Sequence, residues 1–184
     1  MNSRDLKTLA FCWLRFGKKY SIIATEAGHW NADVLGVSDH ESVEIEVKVS
    51  RADLRIDRNK PKHKCFGQVL GGRYQGPNRF YYLVPEVLKD SALAVAEELN
   101  PLYGVMVARA DGSVGYHAHK LLTVARRARP LHAEKPTDAL KDRIIKRMSS
   151  ELAGWYLRAS YEDRMIAAVC GLESNKDVEE PINE

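Results

Sequence analysis

The segment SVEIEVKV, residues 42–49, alternates between apolar and polar side chains along its whole length. Alternate side chains of a β-strand lie on opposite faces, so its β-branched positions are predicted to pack into a core. The other face then carries three charged residues: Glu44, Glu46 and Lys48. One explanation is an exposed strand whose Glu and Lys residues neutralise one another. The other is a chemically active row on the face of a sheet.

The order of patterns along the chain predicts a mixed α/β protein. An amphipathic helix ending near Gly17 is followed by three strand-like segments, and SRAD at residues 50–53 is typical of a helix start. The segment RFYYLVP, residues 79–85, indicates a buried strand. A helix and a hairpin with its turn at residues 110–112 follow. Strands joined through helices indicate a mixed β-sheet flanked by helices, an α/β/α sandwich.

The chain length fits one domain, predicted over residues 1–172, with a core at about 20–130. A docked helix is predicted at about 136–170, on an apolar stripe formed by Leu140, Ile144, Met148, Leu152 and Trp155. Residues 173–184 contain five acids and one lysine, which predicts a disordered acidic tail. Residues 120–147 hold nine basic and three acidic side chains, which is typical either of a surface facing a polyanion or of the ordinary basic helix face of a soluble protein.

Several classes of protein are disfavoured. The three cysteines are widely spaced and form no CxxC pair, so neither a disulfide framework nor a zinc site is indicated. The N-terminal segment lacks the continuous apolar core that a signal peptide has, and no apolar stretch reaches membrane-spanning length, so we expect a cytoplasmic protein without membrane association. Neither of the glycine-rich phosphate-binding loop motifs occurs, which disfavours an enzyme that uses ATP or NAD.

A second acid strengthens the interpretation of the charged row as a site. Asp33 lies in the strand-like segment NADVLGV among apolar neighbours. If this strand pairs antiparallel with residues 43–49, Asp33 and Glu46 come close on one face. Two convergent carboxylates suit Mg²⁺, which prefers oxygen ligands. Lys48 would lie beside Glu46, where an ammonium group can orient a water molecule or stabilise charge on phosphorus.

The chain has Asp33, then a spacer, and then Glu46-Val47-Lys48 in a predicted strand that a helix follows. This arrangement resembles the PD-(D/E)XK nuclease superfamily, with Ala32 in place of the motif's proline. The segments EVKVSRADLRIDRNK, RFYYLVP and YGVMVARADGSV are similar to MmcB-type DNA repair proteins and to related small phage and bacterial nucleases. The resemblance covers about residues 20–130. It implies a restriction-endonuclease-like fold with a four-stranded mixed sheet and a Mg²⁺ or Mn²⁺ site. It also implies cleavage of DNA in repair, recombination or phage DNA processing, as an endonuclease or exonuclease.

Carried onto this chain, the resemblance makes Asp33 and Glu46 metal ligands, together with the backbone carbonyl of Val47. Lys48 becomes the catalytic base or the group that stabilises the transition state. Glu26 lies where many of these nucleases have an additional acid near the metal, although a surface strand residue is an equal interpretation.

Basic residues after the strand are candidate DNA contacts. Arg51, Arg55 and Arg58 follow the spacing of one helix face, where they could meet backbone phosphates, and Lys60 and Lys62 would prolong that basic surface. Solvated side chains are the alternative interpretation of the lysines.

Two other functions remain open from the sequence. A DNA-binding or adaptor protein could keep the fold without cleaving DNA, although two acids near phosphate would then repel the ligand. A nuclease that acts on RNA would use the same residues. A homodimer is also compatible with the sequence, because cutting both strands of a duplex needs two sites.

Overall fold

The computed structural model describes residues 1–109 and 118–169 of the 184-residue chain. The predicted hairpin turn at residues 110–112 and the predicted acidic tail at residues 173–184 lie outside the described residues. The chain divides into two compact units, Met1–Met148 and a second unit that begins at Ser149. The sheet and both flanking helical layers described below belong to the first unit.

Six strands form one mixed sheet. The strands are β1 (Ile22–Ala27), β2 (Ala32–Val37), β3 (Ser42–Val47), β6 (Arg79–Pro85), β7 (Gly104–Ala108) and β8 (Leu122–Arg126), and they lie side by side in this order. The first three form an antiparallel meander, β6 pairs parallel with both β3 and β7, and β8 pairs antiparallel with β7. The prediction of a mixed α/β sheet flanked by helices is therefore confirmed, with six strands rather than four.

The described helices are α1 (Ser3–Cys12), α2 (Arg51–Asp57), α3 (Lys62–Cys65), α4 (Lys89–Leu99) and α5 (Asp138–Val169). A π-helical turn, Trp13–Gly17, follows α1, so the helical segment ends where the sequence predicts. Asn2 caps α1 through Asp5, and Ser50 caps α2 by accepting a hydrogen bond from the amide of Asp53. None of the described helices is long and apolar enough to cross a membrane.

The sheet has a hydrophobic layer on each face. On one face, α1 packs against the apolar positions of β3, including Val43, Ile45 and Val47. On the other, α4 packs against β6 and β7. Glu44 pairs with Phe80 and Glu46 with Tyr82 in the parallel β3–β6 ladder, so the two glutamates lie on the α4 face. Alternation along β3 therefore places Glu44 and Glu46 on a face of the sheet that other elements cover.

Three segments differ from the sequence-based prediction. A two-stranded hairpin, β4 (Val69–Leu70) with β5 (Arg73–Tyr74), precedes β6. The edge strand β8 lies within the basic region at residues 120–147, for which no strand is predicted, and it pairs with β7. The apolar stripe of α5 is buried only in its first half: Ile144 is fully buried, whereas Leu152 and Trp155 are 57% and 64% exposed.

Candidate active site

The register of the sheet places Asp33 beside the central strand. The antiparallel ladder of β2 with β3 ends at the pair Val34 and Ile45, so Asp33 lies just past the end of this ladder, next to the part of β3 that carries Glu46. Asp33 Oδ2 accepts a hydrogen bond of 2.8 Å from the backbone amide of Val47. The N–H and C=O of a strand residue point to the same edge, so the Val47 carbonyl is directed to the side where Asp33 lies.

Lys7 of α1 contacts both Asp33 and Glu26, the additional acid that the resemblance places near the metal. Lys7 Nζ lies 3.0 Å from Asp33 Oδ1 and forms an ion pair with Glu26. Burial would lower the pKa of Lys7, but the two carboxylates outweigh it and raise that pKa. Glu26 has a φ of 47°, a left-handed conformation that is uncommon for a residue with a side chain. This local strain occurs where Glu26 meets Lys7, and strain of this kind concentrates at functional sites.

The charged row of β3 is buried. Glu44, Glu46 and Lys48 are 3%, 2% and 4% exposed, so the explanation by an exposed strand is wrong. Lys48 Nζ lies 2.8 Å from Glu46 Oε1, on the side of the strand that the sequence predicts.

Two further lysines contact the same acids. Lys62 Nζ lies 2.6 Å from Glu46 Oε2 and 2.9 Å from Glu44 Oε1, and Lys60 forms an ion pair with Glu46. Burial would raise the pKa of Glu46, but Lys62 and Lys48 outweigh it and hold that pKa below its usual value. For Glu44, burial prevails over Lys62 and the pKa is raised. Glu46 is thus stabilised as an anion, whereas Glu44 is displaced toward its protonated form.

Asp57 at the end of α2 completes the cluster. Its side chain is fully buried, and its Oδ1 lies 2.9 Å from Lys48 Nζ and 2.7 Å from Lys60 Nζ. Its Oδ2 accepts hydrogen bonds from Tyr82 Oη at 2.6 Å and from His63 Nε2 at 2.8 Å. A carboxylate offers only acceptors, so His63 carries its proton on Nε2. His63 Nδ1 in turn lies 3.0 Å from the hydroxyl of Tyr103.

Electrostatics keep Asp57 ionised. Burial alone would raise its pKa, but the His63 hydrogen bond and the Lys48 and Lys60 ammonium groups outweigh burial and lower it strongly. Burial and the nearby Asp57 charge raise the pKa of Tyr82, so its phenol remains a hydrogen-bond donor. The result is a continuous buried chain from Tyr103 through His63 and Asp57 to Lys48.

Sequence reasoning identifies Asp33, Glu46 and Lys48 as candidate site residues but does not include Asp57 among them. A signal for Asp57 is nevertheless present. Leu54 and Asp57 are three residues apart, which puts them on one face of α2. Both side chains are buried, and an aspartate on the apolar face of a short helix indicates a buried partner.

The candidate DNA contacts separate into two groups. Arg51 and Arg55 are exposed on α2, and Arg58 forms an ion pair of 2.8 Å with Glu98. Lys60 is half-buried, and Lys62 is only 2% exposed. The prediction that Lys62 extends an exposed basic surface is therefore wrong, because its ammonium group neutralises Glu44 and Glu46.

The donor chemistry near β3 fits a hard divalent cation. Asp33, Glu46 and the Val47 carbonyl offer oxygen atoms, the ligands that Mg²⁺ and Mn²⁺ take. Ammonium groups of Lys7, Lys60 and Lys62 contact these carboxylates instead. In the part of the chain that the structure describes, no three His, Cys, Asp or Glu residues form a group that could hold a metal ion.

Comparisons with protein-family models, with curated proteins and with solved structures found no match to this chain.

Proposed function

We propose that this protein is a metal-dependent deoxyribonuclease of the PD-(D/E)XK type, with a restriction-endonuclease-like fold, that hydrolyses DNA phosphodiester bonds. The observation that carries the proposal is the hydrogen bond from the Val47 amide to Asp33. It joins the predicted aspartate to the strand that bears Glu46 and Lys48. DNA repair, recombination and phage DNA processing are the contexts that fit this activity.

In this proposal Asp33, Glu46 and the Val47 carbonyl hold Mg²⁺ or Mn²⁺, and Glu26 is a further candidate ligand. The metal would acidify a bound water molecule and neutralise charge developing on phosphate. Lys48 orients the attacking water or stabilises the transition state. Its ammonium group is fixed for this purpose between Glu46 at 2.8 Å and Asp57 at 2.9 Å.

The buried lysines have a defined part in the same proposal. Lys60 and Lys62 neutralise Glu46 while no cation is bound, because an unpaired buried carboxylate costs on the order of several kcal/mol of folding free energy. Lys60 is the more mobile candidate, since its side chain is 41% exposed and that of Lys62 is 3% exposed. Metal binding then requires at least the Lys60 ammonium to leave Glu46.

The test compares Asp33→Asn and Lys48→Met with the wild type on single-stranded, duplex and branched DNA, in Mg²⁺ or in Mn²⁺. We expect cleavage by the wild type and a loss of about 100-fold or more in each variant, as for other groups that act in a transition state. Asp39→Asn is the matched control, because Asp39 is an exposed aspartate paired with Lys141 on α5. Wild-type cleavage that survives Asp33→Asn would reject the mechanism.

One observation favours a second function. Each buried carboxylate of the cluster already has an ammonium partner, as a metal-free DNA-binding or adaptor protein would require. Titration calorimetry with Mn²⁺ separates the two proposals. Metal binding that disappears in Asp33→Asn supports the nuclease, whereas no metal binding together with salt-sensitive DNA affinity supports the adaptor.

The nucleic-acid substrate is tested in the same assay. An RNA-directed nuclease would use the same residues, so matched RNA and DNA oligonucleotides are compared under identical metal concentrations. Faster cleavage of RNA would change the substrate assignment and leave the proposed catalytic residues in place. A homodimer stays a prediction that analytical ultracentrifugation tests.

A further inference from the structure

Two adjoining cavities lie where the parallel strands β3 and β6 begin. One, of about 310 Å³, is lined in part by Val43, Arg79 and Tyr81. The other, of about 540 Å³, lies along the segment that follows β8. Both include Arg79 and Arg127 in their walls, so the two cavities adjoin and together form one basic concave surface. We call it the arginine furrow and define it by its basic residues: Lys18, Arg79, Arg126, Arg127 and Arg129.

The walls of the furrow carry an excess of positive charge. They hold five basic side chains and two acidic ones, Glu41 and Glu97. Charges of one sign that line a concave surface raise the local potential and attract ligands of the opposite sign.

Two of the arginines are held in fixed orientations. Arg79 donates through Nε to Glu41 at 2.6 Å and through Nη1 to the carbonyl of Ala128 at 2.8 Å. Arg126 donates through Nη1 to Glu97 at 2.6 Å and through Nε to the carbonyl of Tyr103 at 2.8 Å. Arginines anchored in this way lose little side-chain entropy when they bind phosphate, and the guanidinium fork matches phosphate geometry.

The remaining basic groups are exposed. Lys18, Arg127 and Arg129 are solvent-exposed, and no ion pair involving Arg127 or Arg129 is present among residues 1–109 and 118–169. Aromatic rings line the smaller cavity, and Lys18 Nζ lies 5.1 Å from the centre of the Trp13 ring. Trp13, Tyr20 and Tyr81 are themselves buried, so the groups that the furrow offers to a ligand are its basic side chains.

The lysines of the candidate active site lack this spare positive charge, although the exposed Arg51 and Arg55 of α2 nearby resemble the furrow's free arginines. Lys48, Lys60 and Lys62 are each paired with buried carboxylates, so none is free to attract a polyanion from solution. The furrow lies on the same sheet but on its other face, because its lining residues Val43 and Tyr81 belong to the α1 face and Glu46 lies on the α4 face. Arg79 is three residues before Tyr82, the ladder partner of Glu46, which corresponds to about 10 Å along the strand.

We infer that the arginine furrow binds the phosphodiester backbone of a nucleic acid and so keeps the polyanion on the unit that carries the candidate active site. This inference deepens the proposed function and rests on it for the identity of the polyanion. Binding is sequence-independent, because the contacts go to phosphate groups. Salt weakens it, because neutralised phosphates release their counterions.

The test measures binding without cleavage, by fluorescence anisotropy of labelled DNA of about 20 nucleotides in EDTA, over roughly 50 to 200 mM salt. The furrow variant is Arg127→Glu with Arg129→Glu. The matched control is Arg73→Glu with Lys89→Glu, which makes the same charge change at exposed residues of β5 and α4. Thermal unfolding verifies that both variants are folded.

We expect the furrow variant to bind DNA at least about tenfold more weakly than the control variant. Its plot of log K against log salt should also be flatter by roughly 0.7 to 0.9 for each phosphate that the variant no longer neutralises. Equal reductions of affinity in the two variants would overturn the inference, because net charge would then explain the binding. Polyglutamate that competes as well as DNA would also overturn it, in favour of an acidic peptide. Intact furrow binding by a protein that never cleaves DNA would reject the nuclease proposal alone.

Discussion

The Asp57 carboxylate lies between the charged side chains next to β3 and the rings of Tyr82 and His63. Its carboxylate contacts Lys48 and Lys60 on one oxygen and accepts hydrogen bonds from Tyr82 and His63 on the other. A fully buried carboxylate is tolerated only with partners of this kind. Asp57 is therefore a positioning residue for the Lys48 ammonium, and its removal should affect both stability and the proposed catalysis.

We predict that Asp57→Asn lowers the free energy of unfolding at neutral pH by about 3 kcal/mol, because it leaves Lys48 and Lys60 short of a buried counter-charge. The folded pKa of Asp57 lies below its ordinary value, so the folded state binds fewer protons than the unfolded state near that value. Its stabilising contribution is complete above about pH 5 and is lost as the pH falls through about 4 and lower.

Urea unfolding at several values between about pH 3 and pH 7 measures this contribution. The wild type should lose more stability on acidification than Asp57→Asn does. Asp39→Asn is the control, because the pKa of Asp39 is lowered by an exposed ion pair with Lys141, which water screens. If the free energy of unfolding falls equally with pH in the wild type and in Asp57→Asn, Asp57 is not the source of the loss of stability on acidification.

Helix α2 determines where Asp57 lies relative to β3. Ser50, the residue that caps this helix, is two residues after Lys48, and its side chain accepts a hydrogen bond of 3.1 Å from the Asp53 amide. We predict that Ser50→Ala destabilises the protein by about 1 kcal/mol, because an N-terminal amide of the helix is left without its acceptor. Urea unfolding is the measurement. Ser3→Ala is the control, since Asn2 rather than Ser3 caps α1, and its effect should stay within about 0.5 kcal/mol.

The elements near the site show what sequence can and cannot predict. Alternation along β3 predicts which residues share a face, and the short turn before it predicts the antiparallel neighbour that carries Asp33. Both are local properties of the chain. The burial of Lys62 is not predicted, because it depends on α3 packing over Glu44 and Glu46, 18 and 16 residues earlier in the chain. A lysine-rich segment is exposed in most proteins, so composition alone gives the opposite expectation.

At the scale of the whole molecule, two regions of the first unit differ in their balance of acidic and basic side chains. The buried cluster balances its own acids and lysines, whereas the arginine furrow carries an excess of positive charge. The sequence predicts a basic region at residues 120–147, but not that β8 brings part of it next to Arg79 at the start of β6. That proximity depends on the order of strands in the sheet, which no local pattern specifies.

The division of the chain at Met148 leads to a last prediction. Among residues 138–162 of α5, whose burial the structure describes, the buried contacts come from the first turns, where Ile144 is fully buried and Leu140 and Met148 pack against the same cluster. Most residues from 149 to 162 are exposed, such as Leu152 and Tyr156. A chain that ends at residue 148 should therefore unfold cooperatively, with a Tm within about 4 °C of the full chain.

Ile144→Ala, in the same helix, should lower the free energy of unfolding by about 2 to 5 kcal/mol, because it leaves a cavity at a buried site. Calorimetry on both variants measures the contrast, and a truncated chain without a cooperative transition would show that the second unit is needed for the first to fold.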